Sequence, residues 1–348
     1  MIKKTSLKKS PILDVNSLKV NFQTKTGKVT GVKDLSFSIF PGETVCLVGE
    51  SGSGKSVSSL SIMRLVEFGG GKIDSGSIMF SSNSKAEKDL IDFNQKDMRG
   101  IRGNEIGMVF QEPMTALNPV FTVKRQLTEG LRIHKKMGKK EAQLEALNLL
   151  KSVRIPEPES RLNQYPHELS GGMRQRIVIA MALACKPRIL IADEPTTALD
   201  VTVQAEILTL LNRLKQETGT SILFITHDMA VVAQIADRVV VMYLGKIAET
   251  GTTEQIFSPP YHPYTEALLS AVPIADPDIK KRQILLEGAL PSPLNPPKGC
   301  VFNTRCPSAI SGKCNVIEPP IQKLENGHTI SCHIDIKELS SKDNVFAQ

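Results

Sequence analysis

The stretch Gly49-Glu50-Ser51-Gly52-Ser53-Gly54-Lys55-Ser56 constrains this chain more than any other. It fits G-x-x-x-x-G-K-[ST], follows the apolar strand Val45–Val48, and opens a helical pattern that runs from Gly54 to Val66. Its glycines let backbone N–H groups turn inward around phosphate oxygens. Lys55 is placed to reach the outer phosphates and Ser56 to hold Mg²⁺, with the partial positive charge of a helix N-terminus beneath them. Gly49, Ser51, Gly52, Ser53, Gly54, Lys55 and Ser56 are therefore candidate nucleotide-binding residues.

A phosphate loop of this kind needs a second metal-binding carboxylate at the end of another buried strand. Ile189-Leu190-Ile191-Ala192-Asp193-Glu194 supplies one. Asp193 emerges at the C-terminal end of the apolar run, where ligands of open α/β sheets bind, and is a candidate Mg²⁺ ligand. Glu194 beside it is placed to polarise an attacking water. The surrounding pattern agrees with a parallel sheet covered by helices. Strands are expected at Ile12–Phe22, Val29–Phe40, Thr44–Val48, Glu105–Phe110, Arg188–Ala192, Ser221–Thr226 and Arg238–Leu244, and helices at Val201–Leu214 and Met229–Ile235. Residues 120–185 show helical periodicity only, and 81–104 read as a polar, exposed excursion.

At 348 residues the chain suggests two domains. The boundary falls near residue 255, because twelve of the 21 prolines lie between Pro259 and Pro320. The longest apolar run, Ile177–Cys185, has nine residues, whereas a membrane-spanning helix needs about 20. The basic start, with Pro11 and Asp14 in place of an apolar run, does not read as a secretion signal. Four of the net +7 charges fall in the first ten residues. A clustered nucleic-acid footprint is not expected from the remainder.

With these motifs in this order the chain resembles the ATP-binding cassette (ABC) proteins, the ATPase subunits of membrane transporters. Leu169-Ser170-Gly171-Gly172-Met173 is similar to the cassette signature, which contacts ATP held by the opposite subunit. The resemblance implies that Ser170, Gly171 and Gly172 bind nucleotide, that Gln111 senses Mg²⁺, and that Asp200 in Ala198-Leu199-Asp200 makes a dimer contact. It further implies that His227 contacts the terminal phosphate and that Phe22 stacks on adenine, with Gln111, Glu194 and His227 as the catalytic set. The implied fold is an α/β P-loop ABC ATPase, a mixed sheet with an antiparallel β subdomain and a helical subdomain at about 112–185. A basic tail (1–11) precedes the nucleotide-binding domain (12–255), and a proline-rich, cysteine-containing extension (256–348) follows it.

Gln111-Glu112-Pro113-Met114-Thr115-Ala116-Leu117-Asn118-Pro119, Tyr261-His262-Pro263-Tyr264-Thr265 and Leu290-Pro291-Ser292-Pro293-Leu294 resemble the oligopeptide and dipeptide importer branch. That implies a peripheral ATPase at the cytoplasmic face of the membrane, paired with a second and different cassette subunit. Its further partners would be two permease subunits and, through them, an extracytoplasmic peptide-binding protein. An importer for nickel or another small solute, and a soluble non-transport cassette ATPase, are the alternatives. Cys300, Cys306, Cys314 and Cys332 follow C-x5-C-P-x6-C-x17-C. These gaps are wider than the usual pairing in zinc sites. The branch carries a 4Fe–4S cluster at this place; zinc and unligated thiols remain open, with His328 and His333 as further ligand candidates. The extension has few apolar residues for a core of its own, so a metal would act as a staple.

Overall fold

The computed structural model describes residues 10–82, 87–112, 116–197, 199–273, 283–324 and 327–346. Most of the basic tail, Pro113, Met114, Thr115 and Ala198 lie outside the described residues. In chain order the strands are β1 (Leu13–Thr24), β2 (Gly27–Ile39), β3 (Thr44–Val48), β4 (Gly71–Phe80), β5 (Lys88–Asp89) and β6 (Ile106–Val109). They continue as β7 (Ile189–Asp193), β8 (Ser221–Thr226), β9 (Arg238–Tyr243), β10 (Lys246–Thr252), β11 (Ile321–Lys323) and β12 (Thr329–Ser331). The helix after the phosphate loop is shorter than its pattern predicts, Lys55–Ile62, because Arg64 turns to φ 50° and a 3₁₀ turn follows at Val66–Gly69.

The chain forms two compact units. One holds Phe37–Glu43 and Ser77–Leu223 together with the start of the chain up to Val15. Here β6 and β7 run parallel, with Val109 beside Ala192, so the residues leaving both strands emerge side by side. Helices Val123–His134, Lys139–Ser152 and Gly171–Leu183 cover the stretch expected to lack strands. Leu131, Ala142 and Ala184 pack together with Met137 and Leu149. The excursion at 81–104 is not simply exposed, which corrects the expectation from its polarity. Leu90 and Met98 are fully buried, and Asn94 caps a helix at Gln95–Ile101 by accepting the N–H groups of Lys96 and Asp97. With Ile101, also buried, these are three apolar anchors, too few to register as a periodic signal.

The second unit holds Asn16–Ser36, Thr44–Gly76 and Phe224–Gln348. Its sheet is mixed: β3 runs parallel to β9, β9 turns back antiparallel into β10, β12 adds to β10, and β11 to β12. Val239 through Tyr243 are almost inaccessible, the two-sided burial of a strand inside a covered sheet. Two strands of this sheet thus come from the proline-rich extension. The extension also has a small core, Ile330, Cys332, Ile334 and Leu339 with Ile336 against them. That overturns the expectation of a segment without one.

A buried carboxyl–imidazole contact joins the extension to β10. Glu249 is fully buried; its Oε1 lies 2.7 Å from His328 Nε2, and its Oε2 accepts the His262 N–H at 2.8 Å. His262 caps the helix Pro263–Ser270, its Nδ1 accepting the Tyr264 N–H at 3.0 Å. Burial raises the Glu249 carboxyl and pushes the His262 imidazole from its ordinary 6.5 down to about 4. Below pH 6.5 the unfolded chain binds a proton at His262 that the folded chain refuses. The stability this group contributes is therefore complete above 6.5 and declines as pH falls toward 4. His262→Asn keeps a capping oxygen and removes the titration. Between pH 7 and pH 5 the wild type should lose on the order of 2 kcal/mol more than the variant in urea unfolding. Equal losses would show that His262 does not set this slope.

Candidate active site

The phosphate loop is built on backbone that only glycine can supply. Gly49, Gly52 and Gly54 have φ of 154°, 82° and 100°. A Cβ at Gly49 would lie 2.2 Å from the Met242 carbonyl oxygen, and one at Gly54 2.5 Å from that of Gly31. The register that sets Val48 beside Val241 brings Met242 against the loop. The Gly245 N–H, in the turn after β9, donates to the Ser53 carbonyl at 2.8 Å. Lys55 is buried, and its Nζ donates to the carbonyl oxygens of Gly49 (2.7 Å) and Glu50 (2.9 Å). Two residues that sequence reasoning missed hold Glu50. Its N–H donates to the Tyr264 hydroxyl at 2.8 Å, and its carboxylate takes the Arg305 guanidinium at 2.7 Å. These partners lie 214 and 255 residues away along the chain, so no local pattern could point to them.

In the same unit Phe22 is half-buried, its ring covering Gly31 and Gly71, where added Cβ atoms would approach it to 3.0 and 2.8 Å. His227 is exposed at the end of β8, just before the helix Met229–Ile235 that Asp228 caps.

The other unit gathers the carboxylates. Asp193, the last residue of β7, is buried, and Glu194 follows at φ 45°. A left-handed glutamate is strained backbone, which persists where its surroundings over-determine it. Glu194 Oε2 accepts from Gln111 Nε2 at 3.1 Å and from the Thr197 hydroxyl at 3.0 Å. The parallel β6–β7 register accounts for the first contact, because it places the exit of Gln111 next to that of Glu194. Ser170 caps the helix Gly171–Leu183, its Oγ accepting the Met173 N–H at 3.3 Å; Ser170 and Gly171 face solvent. Gly172 sits against Val203, and Asp200 caps the helix Val201–Thr218 through the Val203 N–H. The signature helix and the carboxylate turn are joined by a residue not singled out from sequence. Gln175, buried, donates from Nε2 to the Pro195 carbonyl at 2.6 Å.

The cysteines of the extension are close but not assembled. Among the described residues no group of three or more His, Cys, Asp or Glu side chains is gathered so as to hold a metal ion. The Cys300 N–H donates to the Cys314 carbonyl at 2.8 Å, and Cys314 Sγ accepts the Ile310 N–H. Burial first, and then the neighbouring thiols, push Cys306 up to about 11, and burial raises Cys300 and Cys332 as well. The two histidine candidates each make a contact through Nε2. His328 pairs with Glu249, and His333 Nε2 lies 2.8 Å from the Ile317 carbonyl oxygen.

The family described as "ABC transporter" matches residues 32–197, and that described as "Oligopeptide/dipeptide transporter, C-terminal region" matches residues 248–314. The oligopeptide transport ATP-binding protein AppD of Bacillus subtilis is 50% identical over 325 residues, covering 93% of this chain and 97% of that protein. The dipeptide transport ATP-binding protein DppD of the same organism is 51% identical, over 92% of this chain and 94% of its own. Among solved structures, a dimeric post-hydrolysis state of the cassette MJ0796 bound to ADP and Pi is similar at a TM-score of 0.61 and 28% identity. It covers 69% of this chain and 98% of that one.

Gln175→Leu tests the tie between signature helix and carboxylate turn. It leaves the buried Pro195 carbonyl without its donor and should cost about 1–3 kcal/mol, read as a lower urea midpoint. An unchanged midpoint would show that the bond contributes nothing net.

Proposed function

This chain belongs to the ABC transporter family, in its oligopeptide/dipeptide branch, and from that premise we propose how its residues divide the work of a peptide importer's ATPase. The chain is the ATP-hydrolysing subunit, coupled to membrane permease subunits and acting as a cassette dimer. We assign residues 12–255 to the nucleotide-binding domain and 256–348 to the extension. Among the described residues no helix is long and apolar enough to cross a membrane. That fits attachment through the permeases, which we place at the cytoplasmic face. We take the partner cassette to be a different chain, and a peptide-binding protein to feed the permeases from outside.

The observation that carries the catalytic assignment is Glu194, strained at φ 45° and held by Gln111 and Thr197 directly after buried Asp193. In this reading the loop N–H groups and Lys55 take the phosphates, and Phe22 stacks on the base. Ser56 and Asp193 are hard oxygen donors of the kind Mg²⁺ prefers, and Gln111 reports on it. Mg²⁺ would neutralise charge on the phosphates. Glu194 orients the attacking water and His227 the terminal phosphate. Ser170, Gly171 and Gly172 serve the ATP of the partner cassette, with Asp200 at the contact. Glu194→Gln keeps shape and removes the charge. Turnover of the reconstituted complex should fall at least about a hundredfold, with ATP binding retained. Near-normal turnover would falsify the role.

For the extension, four thiols in one segment are the donor set of a 4Fe–4S cluster, and we assign Cys300, Cys306, Cys314 and Cys332 to it. Its contribution would be folding energy, since hydrolysis has no redox step. Anaerobically purified protein should carry about four irons per chain, and Cys332→Ser should lose them. One zinc instead would identify that metal, and four freely alkylated thiols without metal would remove both.

A further inference from the structure

The phosphate loop is held at its first turn by side chains from the extension. Lys55 occupies the loop carbonyls of Gly49 and Glu50. A lysine that turns to a phosphate gives up at least part of that bonding, and residue 50 then depends on its other ties. Its carbonyl keeps the Ser53 N–H at 3.1 Å within the loop, and two side chains of the extension hold it from outside, the Tyr264 hydroxyl on its N–H and the Arg305 guanidinium on its carboxylate. Both partners are anchored. The Arg305 side chain is only 9% exposed and donates to the Tyr243 hydroxyl at 3.4 Å. Tyr243, Tyr264 and Phe302 pack edge-on or tilted, with centroids 4.8 to 5.3 Å apart. A third contact comes from Leu290, whose Cδ2 would lie 3.1 Å from a Cβ at Gly52.

Charge gives the arrangement a second purpose. Glu50 puts a carboxylate in a loop whose task is to bind a polyanion. The guanidinium cancels that charge and fixes its direction, which a flexible, strongly hydrated lysine would do less well. We propose that Arg305 is a positioning residue for ATP binding: through Glu50 it holds the first turn of the phosphate loop in shape and neutralises the loop's own carboxylate. Arg305 touches no reacting atom in this role. It acts through Glu50, with Tyr264 as the second tie.

The inference rests on the ATPase reading, and the same assay separates the two. In the reconstituted transporter complex, Arg305→Ala should raise the KM for ATP about tenfold while kcat changes less than twofold. Glu50→Gln should change KM less than threefold. Adding it to Arg305→Ala should bring KM about threefold back toward the wild type, because the uncompensated charge is then gone while the tie to Glu50 stays broken. A residue needed only for packing would show no such rescue. An unchanged KM in Arg305→Ala, or a double variant worse than either single one, overturns the proposal. If Arg305→Ala does not fold, Arg305→Gln, close in length, is read against the same outcomes. A wild-type complex that hydrolyses no ATP would defeat the ATPase reading and this inference together.

Discussion

Backbone N–H groups can surround a phosphate only where the chain turns inward several times in succession, and that requirement organises much of the unit around the loop. Gly49, Gly52 and Gly54 adopt the left-handed conformations the turns need. Carbonyl oxygens at Met242 and Gly31 stand so near Gly49 and Gly54 that no side chain would fit. A left-handed turn that L residues rarely adopt is stable only if its neighbours hold it there. The parallel β3–β9 register does so on one side, and the turn at Gly245 does so from another.

The extension completes this support. It contributes β11 and β12 to the sheet, a histidine to the buried carboxylate of β10, and an aromatic group packed on Tyr243. Removing one partner of a buried hydrogen-bonded pair leaves the other unsatisfied and costs about 1–3 kcal/mol. A domain whose total stability is about 5–15 kcal/mol could not lose His328 lightly. The extension is thus structural for the unit that carries the phosphate loop.

What could be read from sequence was local. The phosphate loop, the Asp193-Glu194 pair and the glycines after Ser170 lie within short windows whose residue types have few other uses. Gln111 needed the family resemblance, and the structure supplies its reason in the β6–β7 register. β4 went unread because Asp74-Ser75-Gly76-Ser77 interrupts its alternation. β11 and β12 have three residues each, too short for any period to show. Arg305, Tyr264 and Gln175 act through single contacts with residues distant in the chain. Nothing in their neighbours announces those contacts. The cysteines were legible as a set, but how close the side chains stand is a property of folding.

The Glu249–His328 pair also orders events during synthesis. The two residues are 79 positions apart. At about 5–20 residues per second, the carboxylate of β10 emerges some 4–16 s before its imidazole partner. Through that interval, sealing the strand means burying Glu249 without its imidazole, which favours the neutral acid over the carboxylate. The unit that carries the phosphate loop therefore cannot complete this pair until its distal strand has been made. Nascent chains that stop short of His328 would keep an open, hydrated edge that proteases can reach. A chain that ends before His328 leaves the Glu249 carboxyl in the interior without that partner.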